Sequence, residues 1–190
     1  LYEYEVCYKD LLNVSNLIPP PINTDTITYT DNIVQKKIKI FHGLNRPGFK
    51  GTHLIREVFE NLKPKYQNKV EFTIPKRMPY KEYIKALREA NVVIDQTNCY
   101  SLGVNGLLAL AMGKIVLGGY EEESLTSLGI TKAPSFNILP DTVHIQNTIE
   151  SIICDEEKFL ETGKKSRSFI EEHFNYIKIA KKYIDVWEKY

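Results

Sequence analysis

The sequence predicts an α/β domain, a parallel sheet covered by helices on both faces, and three observations carry that prediction. Short runs rich in valine and isoleucine recur along the chain from Lys37 onward. Between them lie longer stretches whose apolar residues repeat every three to four positions, the period of a helix buried along one side. The apolar runs are mostly continuous rather than alternating, as strands buried on both faces of a parallel sheet should be.

In order, the strand candidates are KIKIFHG (37–43), VEFTIP (70–75), NVVIDQT (91–97), KIVLGG (114–119) and SFNILP (135–140). The first leads into a helical face of Leu54, Ile55, Val58, Phe59 and Leu62, the second into one of Tyr80, Tyr83, Ile84 and Leu87. The third leads into GVNGLLALAMG, a helix of small and apolar residues suited to lie tight on a sheet. After the fifth, Ile145, Ile149, Ile152 and Ile153 share a face, and two closing helices are predicted near 156–173 and 176–189. Ahead of Lys37 the pattern is irregular. LIPPPINTDTITYTDN holds three consecutive prolines, which favour extended chain, and then a polar run. Residues 1–36 therefore read as a connector or the end of a preceding domain, with either a short helix or a strand before the prolines, and 37–190 as the folded domain.

The composition bounds the function. The chain has 190 residues, 43% of them hydrophobic and 26% charged, with a net charge of +1. That is an ordinary globular balance without the basic excess of a dedicated nucleic-acid binder. No apolar run reaches membrane-spanning length and no signal-peptide pattern opens the chain. Cys7, Cys99 and Cys154 are widely spaced, which suits reduced cytosolic thiols better than a disulfide framework. No His or Cys cluster has zinc spacing, and no metal site is expected. Methionine occurs only at Met78 and Met112, so the sequence reads as part of a longer protein whose remainder holds half of any active site.

Open parallel sheets bind ligands beyond the carboxyl ends of their strands, where the strand order reverses. That rule selects the loops at 42–52, 75–80, 96–104 and 118–125. The first, FHGLNRPGFKGTH, has glycines at 43 and 48 with P-loop separation, but Phe49 stands where a P-loop needs lysine. Arg46 and Lys50 flank its Pro-Gly turn, and Thr52 is placed to cap the next helix. Two cations beside the N–H groups of a helix N-terminus suit a diphosphate, although a plain solvated turn explains the same residues. In the third loop Asp95 and Gln96 end a buried strand, and Gly103 lets backbone approach a ligand closely. The second loop offers Lys76 and Arg77 to a base or phosphate, or simply to solvent. His42 ends the first strand at the same edge; a lone histidine there is more often structural than a proton carrier.

Taken together, KIFHGLNRPGFKGTHLIREVFENLK, YIKALREANVVIDQ, SLGVNGLLALAMGKIVLGG and EEHFNYIKIAKKYIDVWEKY resemble the C-terminal, donor-binding half of a GT-B glycosyltransferase of the retaining, group 1 type. The resemblance spans about 37–190 and implies a Rossmann-like parallel sheet flanked by helices, with further helices at the C-terminus. It implies that Arg46 and Lys50 neutralise the donor diphosphate, a catalytic role as negative charge develops on the leaving group. It implies that backbone amides at Gly103 and Val104 meet the distal phosphate, and that Asp95, Gln96 and Tyr100 line the sugar side. Lys76 and Arg77 join them as donor-binding candidates. The last helix would cross back to an N-terminal domain.

One departure is clear. The family typically carries two glutamates with seven residues between them, and the matching positions here are Tyr100 and Leu108. Leucine cannot bind ribose hydroxyls, and tyrosine offers one hydrogen bond without charge. The resemblance thus leads to two expectations. The first is a metal- and cofactor-independent hexosyltransferase-type enzyme, moving sugar from a nucleotide-sugar to a glycan or lipid-linked acceptor in surface polysaccharide synthesis. It would be cytoplasmic, and peripheral at the membrane if the acceptor is lipid-linked, with Lys164, Lys165 and Arg167 as candidate contacts. It would also be inactive without its N-terminal domain. The second is a degenerate nucleotide-sugar or sugar-phosphate binding module.

Overall fold

The computed structural model describes residues 2–8, 10–11, 15–44 and 46–189. Among these, five strands form one sheet in the order β2-β1-β3-β4-β5. The strands are β1 (Ile38–His42), β2 (Val70–Thr73), β3 (Val92–Ile94), β4 (Ile115–Gly118) and β5 (Phe136–Asn137), and every pairing is parallel. Each strand lies inside its predicted run but is shorter at the carboxyl end, where the chain leaves the sheet to build loops.

The helices are α1 (Tyr2–Tyr8), α2 (Thr52–Tyr66), α3 (Tyr80–Glu89), α4 (Val104–Ala111), α5 (Glu122–Ser127), α6 (Thr142–Cys154), α7 (Phe159–His173) and α8 (Tyr176–Lys189). Period-two alternation in the strands sorts the core into two layers. Ile38, Ile40, Val92, Ile94, Ile115 and Leu117 face α2 and α6, packing on Ile55, Val58, Leu62, Ile145, Ile149 and Ile153. Phe41, Val93 and Val116 face the opposite layer, where Leu87 of α3, Leu107 and Leu110 of α4, and Phe169 and Ile170 of α7 gather. The chain winds outward from β1 to β2 through α2, then reverses through α3 and α4 on the other face. The reversal leaves a crevice between the carboxyl ends of β1 and β3.

Residues Tyr2–Tyr8 form a helix, which settles the choice left open before the prolines; Lys9 and residues 12–14 lie outside the described residues. The stretch from Ile18 to Gln35 is irregular, as expected, but it is strapped to the domain. Ile22 is buried, donates its N–H to Phe174 O and accepts from Tyr176 N–H. Asn32 and Asn91 are buried together, with Asn91 Nδ2 donating to Asn32 Oδ1 at 2.9 Å.

Arg167 corrects one expectation. Its guanidinium donates to Thr24 O (2.9 Å), Ile27 O (2.7 Å) and Ala111 O (3.1 Å), so it ties this strap to the end of α4. It is a staple between distant parts of the chain, not a free surface cation. Among the described residues, no helix is long and apolar enough to cross a membrane.

Candidate functional site

The crevice is built from the loops after β1 and β3, with the loop after β2 alongside. In the first loop, Arg46 adopts a positive φ of 50°, an uncommon backbone state for a residue with a side chain. Its guanidinium lies 5.5 Å from the centre of the Phe49 ring, so the residue that spoils the P-loop pattern stacks on the exposed cation. Asn45 lies outside the described residues.

The chain then turns sharply into α2. Gly51 is the N-cap, left-handed at φ 66°, and a Cβ there would lie 2.0 Å from Thr97 Oγ1. Glycine is required on both counts. Thr52 does not cap the helix, contrary to the sequence expectation. It is the first helical residue, and its hydroxyl lies 2.9 Å from His42 Nε2. Nor is the start of α2 an open anion cradle. Thr52 N–H donates to Pro47 O, and Leu54 N–H to Gly51 O.

His42 is structural. Its Nδ1 lies 2.9 Å from Ile94 O, which can only accept, so Nδ1 carries the proton and Nε2 accepts from Thr52 Oγ1. Burial pulls its pKa down to about 4, against the raising effect of the Ile94 carbonyl and with help from the nearby Lys50 charge. Near neutral pH it is uncharged, with both ring nitrogens engaged.

Lys50 and Asp95 form the centre of the site. Lys50 Nζ lies 2.8 Å from Asp95 Oδ1, with side chains only 4% and 0% exposed. The other carboxylate oxygen, Oδ2, accepts the N–H of Gly103 at 2.6 Å, directly before α4. Lys50 thus does not project from its loop as Arg46 does; it reaches inward. Gln96 is also buried and donates to Ser101 O at 2.8 Å, while Asn98 donates to Gly48 O at 3.2 Å across the crevice.

On the outer side, Arg46, Lys76, Arg77, Tyr80, Tyr83 and Asn105 line one cleft of about 570 Å³. The N–H groups of Val104, Asn105 and Gly106 belong to the first turn of α4, which has no intrahelical acceptors for them. The structure therefore brings together Arg46, Lys76, Arg77 and the start of α4, where Val104 is exposed, and places Lys50, Asp95, Gln96 and Gly103 just inside. Tyr100 stands apart, its ring 5.4 Å from that of Tyr2, and its N–H donates to Glu3 Oε1 at 2.6 Å. Leu108 is half-buried against the core.

Sequence reasoning missed the two cleft tyrosines. Tyr80 and Tyr83 sit at helical spacing and read as core, yet Tyr80 is 70% exposed. Tyr83 fits beside the end of β1 because position 43 is glycine; a Cβ there would lie 2.6 Å from its ring.

Known structures share this architecture. One is HepE of Anabaena in complex with UDP (TM-score 0.69, 14% identity, covering 100% of this chain and 61% of that one). Another is a point mutant of S. aureus TarM in complex with fondaparinux, α-GlcNAc-glycerol and UDP (TM-score 0.71, 13% identity, 97% and 42%). A third is the C-terminal domain of LpcC, a glycosyl transferase group 1 family protein of Francisella tularensis (TM-score 0.57, 13% identity, 81% and 98%).

The fold is that of a GT-B C-terminal domain. The chain spans only about half the length of the two longer proteins, 61% and 42%, but 98% of the isolated C-terminal one. No protein-family model matches the sequence, and no curated protein matches it. In this fold the crevice between β1 and β3 is where the general rule for open sheets puts a ligand.

Proposed function

We propose that this domain binds the diphosphate of a nucleotide-sugar and serves a glycosyltransferase that moves a hexosyl unit to a glycan or lipid-linked acceptor. The observation that carries the reading is the convergence of Arg46, Lys76 and Arg77 on the cleft at the first turn of α4. Cations and outward-pointing amides at a helix N-terminus are a general solution for phosphate. The same groups stabilise the charge that develops as a diphosphate leaves, so the proposed role of Arg46 is to assist departure. The UDP-bound proteins that share the fold support a nucleotide donor here. In keeping with the resemblance, we propose retention of anomeric configuration, a place in surface polysaccharide synthesis and a cytoplasmic site of action, at the membrane face if the acceptor is lipid-linked.

The acceptor side of the reaction would come from a second domain, so the 190 residues alone are proposed not to turn over. Incubating the full-length protein with a panel of nucleotide-sugars and glycan or lipid-linked acceptors tests the reading. Transfer that disappears in Arg46→Ala supports it; absence of transfer and of nucleotide binding across the panel overturns it.

A second reading, a binding or scaffold module without catalysis, draws on a specific observation. Leu108 packs against the core at the position where the resemblance calls for a ribose-binding glutamate. A scaffold would keep partner binding in Arg46→Ala, while an enzyme would lose transfer.

A further inference from the structure

We infer that Asp95 is a positioning residue that clamps the two walls of the donor cleft together, and that it does not contact the donor itself. The inference rests on the nucleotide-diphosphate reading above and deepens it.

The carboxylate has two oxygens, and each is committed to a different wall. Oδ1 holds Lys50 Nζ at 2.8 Å, from the loop after β1. Oδ2 holds the Gly103 N–H at 2.6 Å, at the entry to α4. The side chain is 0% exposed, which leaves no surface for a sugar hydroxyl. Space for the carboxylate is made by the glycines of α4: a Cβ at Gly103 would lie 3.1 Å from Oδ2, and one at Gly106 would lie 2.9 Å from it. Any larger residue at position 106 would push the anion away from the helix start. A negative charge also belongs there electrostatically, against the positive end of the helix dipole.

The consequence concerns the geometry of the cleft. Thr97 N–H donates to Lys50 O at 3.3 Å, and Asn98 reaches Gly48 O, so the two loops are tied by backbone as well as by charge. With Lys50 anchored, the turn of residues 46–51 is fixed, and Arg46 is held on the same cleft as Asn105 of α4. Asp95 also cancels the charge of Lys50. The groups presented outward to a diphosphate are then Arg46, Lys76, Arg77 and the first-turn amides of α4, with Lys50 fixed one layer behind them. In this arrangement Asp95 sets affinity for the diphosphate and leaves affinity for the nucleoside alone.

That distinction gives the test. The full-length protein, its Asp95→Asn variant and its Lys50→Met variant are titrated calorimetrically with uridine diphosphate and with uridine, and with the adenosine and guanosine pairs if uridine compounds do not bind. The expected result is a fall of about tenfold or more in the ratio of diphosphate to nucleoside affinity in each single variant, the scale of a lost charge-assisted contact. The Asp95→Asn/Lys50→Met double variant should be no worse than either single one, because the residues act as a unit.

Parallel loss of diphosphate and nucleoside affinity, with the ratio unchanged, would mean a merely structural role and overturns the inference while leaving the nucleotide reading intact. A wild type that binds no diphosphate overturns both. Should Asp95→Asn fail to fold, the Lys50 ammonium resonance of the ¹⁵N-lysine-labelled wild type decides. It should be protected from exchange with water and should shift on adding diphosphate but not nucleoside; an unprotected or unmoved signal overturns the inference.

Discussion

Two buried lysines, one at each end of the sheet, show what separates a built site from a basic groove. Lys50 and Lys114 are equally hidden, each 3% exposed. Lys50, at the carboxyl end, meets a carboxylate at 2.8 Å. Lys114, at the amino end, donates to the neutral hydroxyl of Thr30 at 3.0 Å, and burial, aided by the charge of Arg88, pulls its pKa down to about 8. The amino end also has the larger opening, about 1020 Å³, lined by Lys36, Lys37, Lys39, Lys63 and Arg88. Its cations are mostly exposed and disperse their charge into surface contacts such as Lys39–Glu89, which contribute little. Volume and cation count favour the amino end. Committed hydrogen bonds, a left-handed glycine and the reversal of strand order favour the carboxyl end, and such features are what a defined ligand site requires.

Several substitutions break or sharpen this contrast. The largest effect is expected at the buried pair: Asp95→Asn or Lys50→Met should each lower unfolding free energy by about 3–5 kcal/mol, because one buried charge is left alone. The double variant should lose much less, which urea unfolding will show. Next comes pH. His42 has a folded pKa of about 4, below its ordinary value of 6.5, so between these the unfolded chain binds the extra proton. Its stabilising contribution is full above about pH 6.5 and is lost as pH falls through about 4. The loss amounts to roughly 3 kcal/mol in the wild type and should be absent in His42→Gln.

A smaller effect is expected at Gly51. Substitution by alanine meets both the positive φ and Thr97 and should cost about 2 kcal/mol, whereas Gly48→Ala in the same loop meets nothing within 4 Å and should be neutral. The smallest change should come at the amino end with opposite sign. Lys114→Met removes a buried charge that has no carboxylate partner among the described residues, and thermal unfolding should show stability unchanged or raised by about 1 kcal/mol.

Much of the fold was legible in the chain because burial leaves a periodic trace. The four isoleucines of α6 are all buried as their spacing requires, and each strand falls within its apolar run. The loops that matter were also legible, because they follow from strand–helix alternation and the rule for open sheets. What was not legible is which way a loop side chain turns. Lys50 and Arg46 sit four positions apart and read as two equivalent cations. Only the fold sends one onto Asp95 and leaves the other stacked on Phe49. Thr52 read as a cap because nothing local reveals that His42 needs its hydroxyl. Arg167 read as surface charge because its carbonyl partners, Thr24, Ile27 and Ala111, come from distant parts of the chain.

The central claim is that the carboxyl-end cleft, and not the larger basic groove, receives a nucleoside diphosphate. Calorimetric titration of the full-length protein with nucleoside diphosphates, comparing wild type with Arg46→Ala and with Lys63→Ala, tests it most directly. The account predicts saturable binding by the wild type, a loss of about tenfold or more in Arg46→Ala, and an affinity within about twofold of wild type in Lys63→Ala. No binding by the wild type, or a loss in Lys63→Ala that Arg46→Ala does not show, would contradict it.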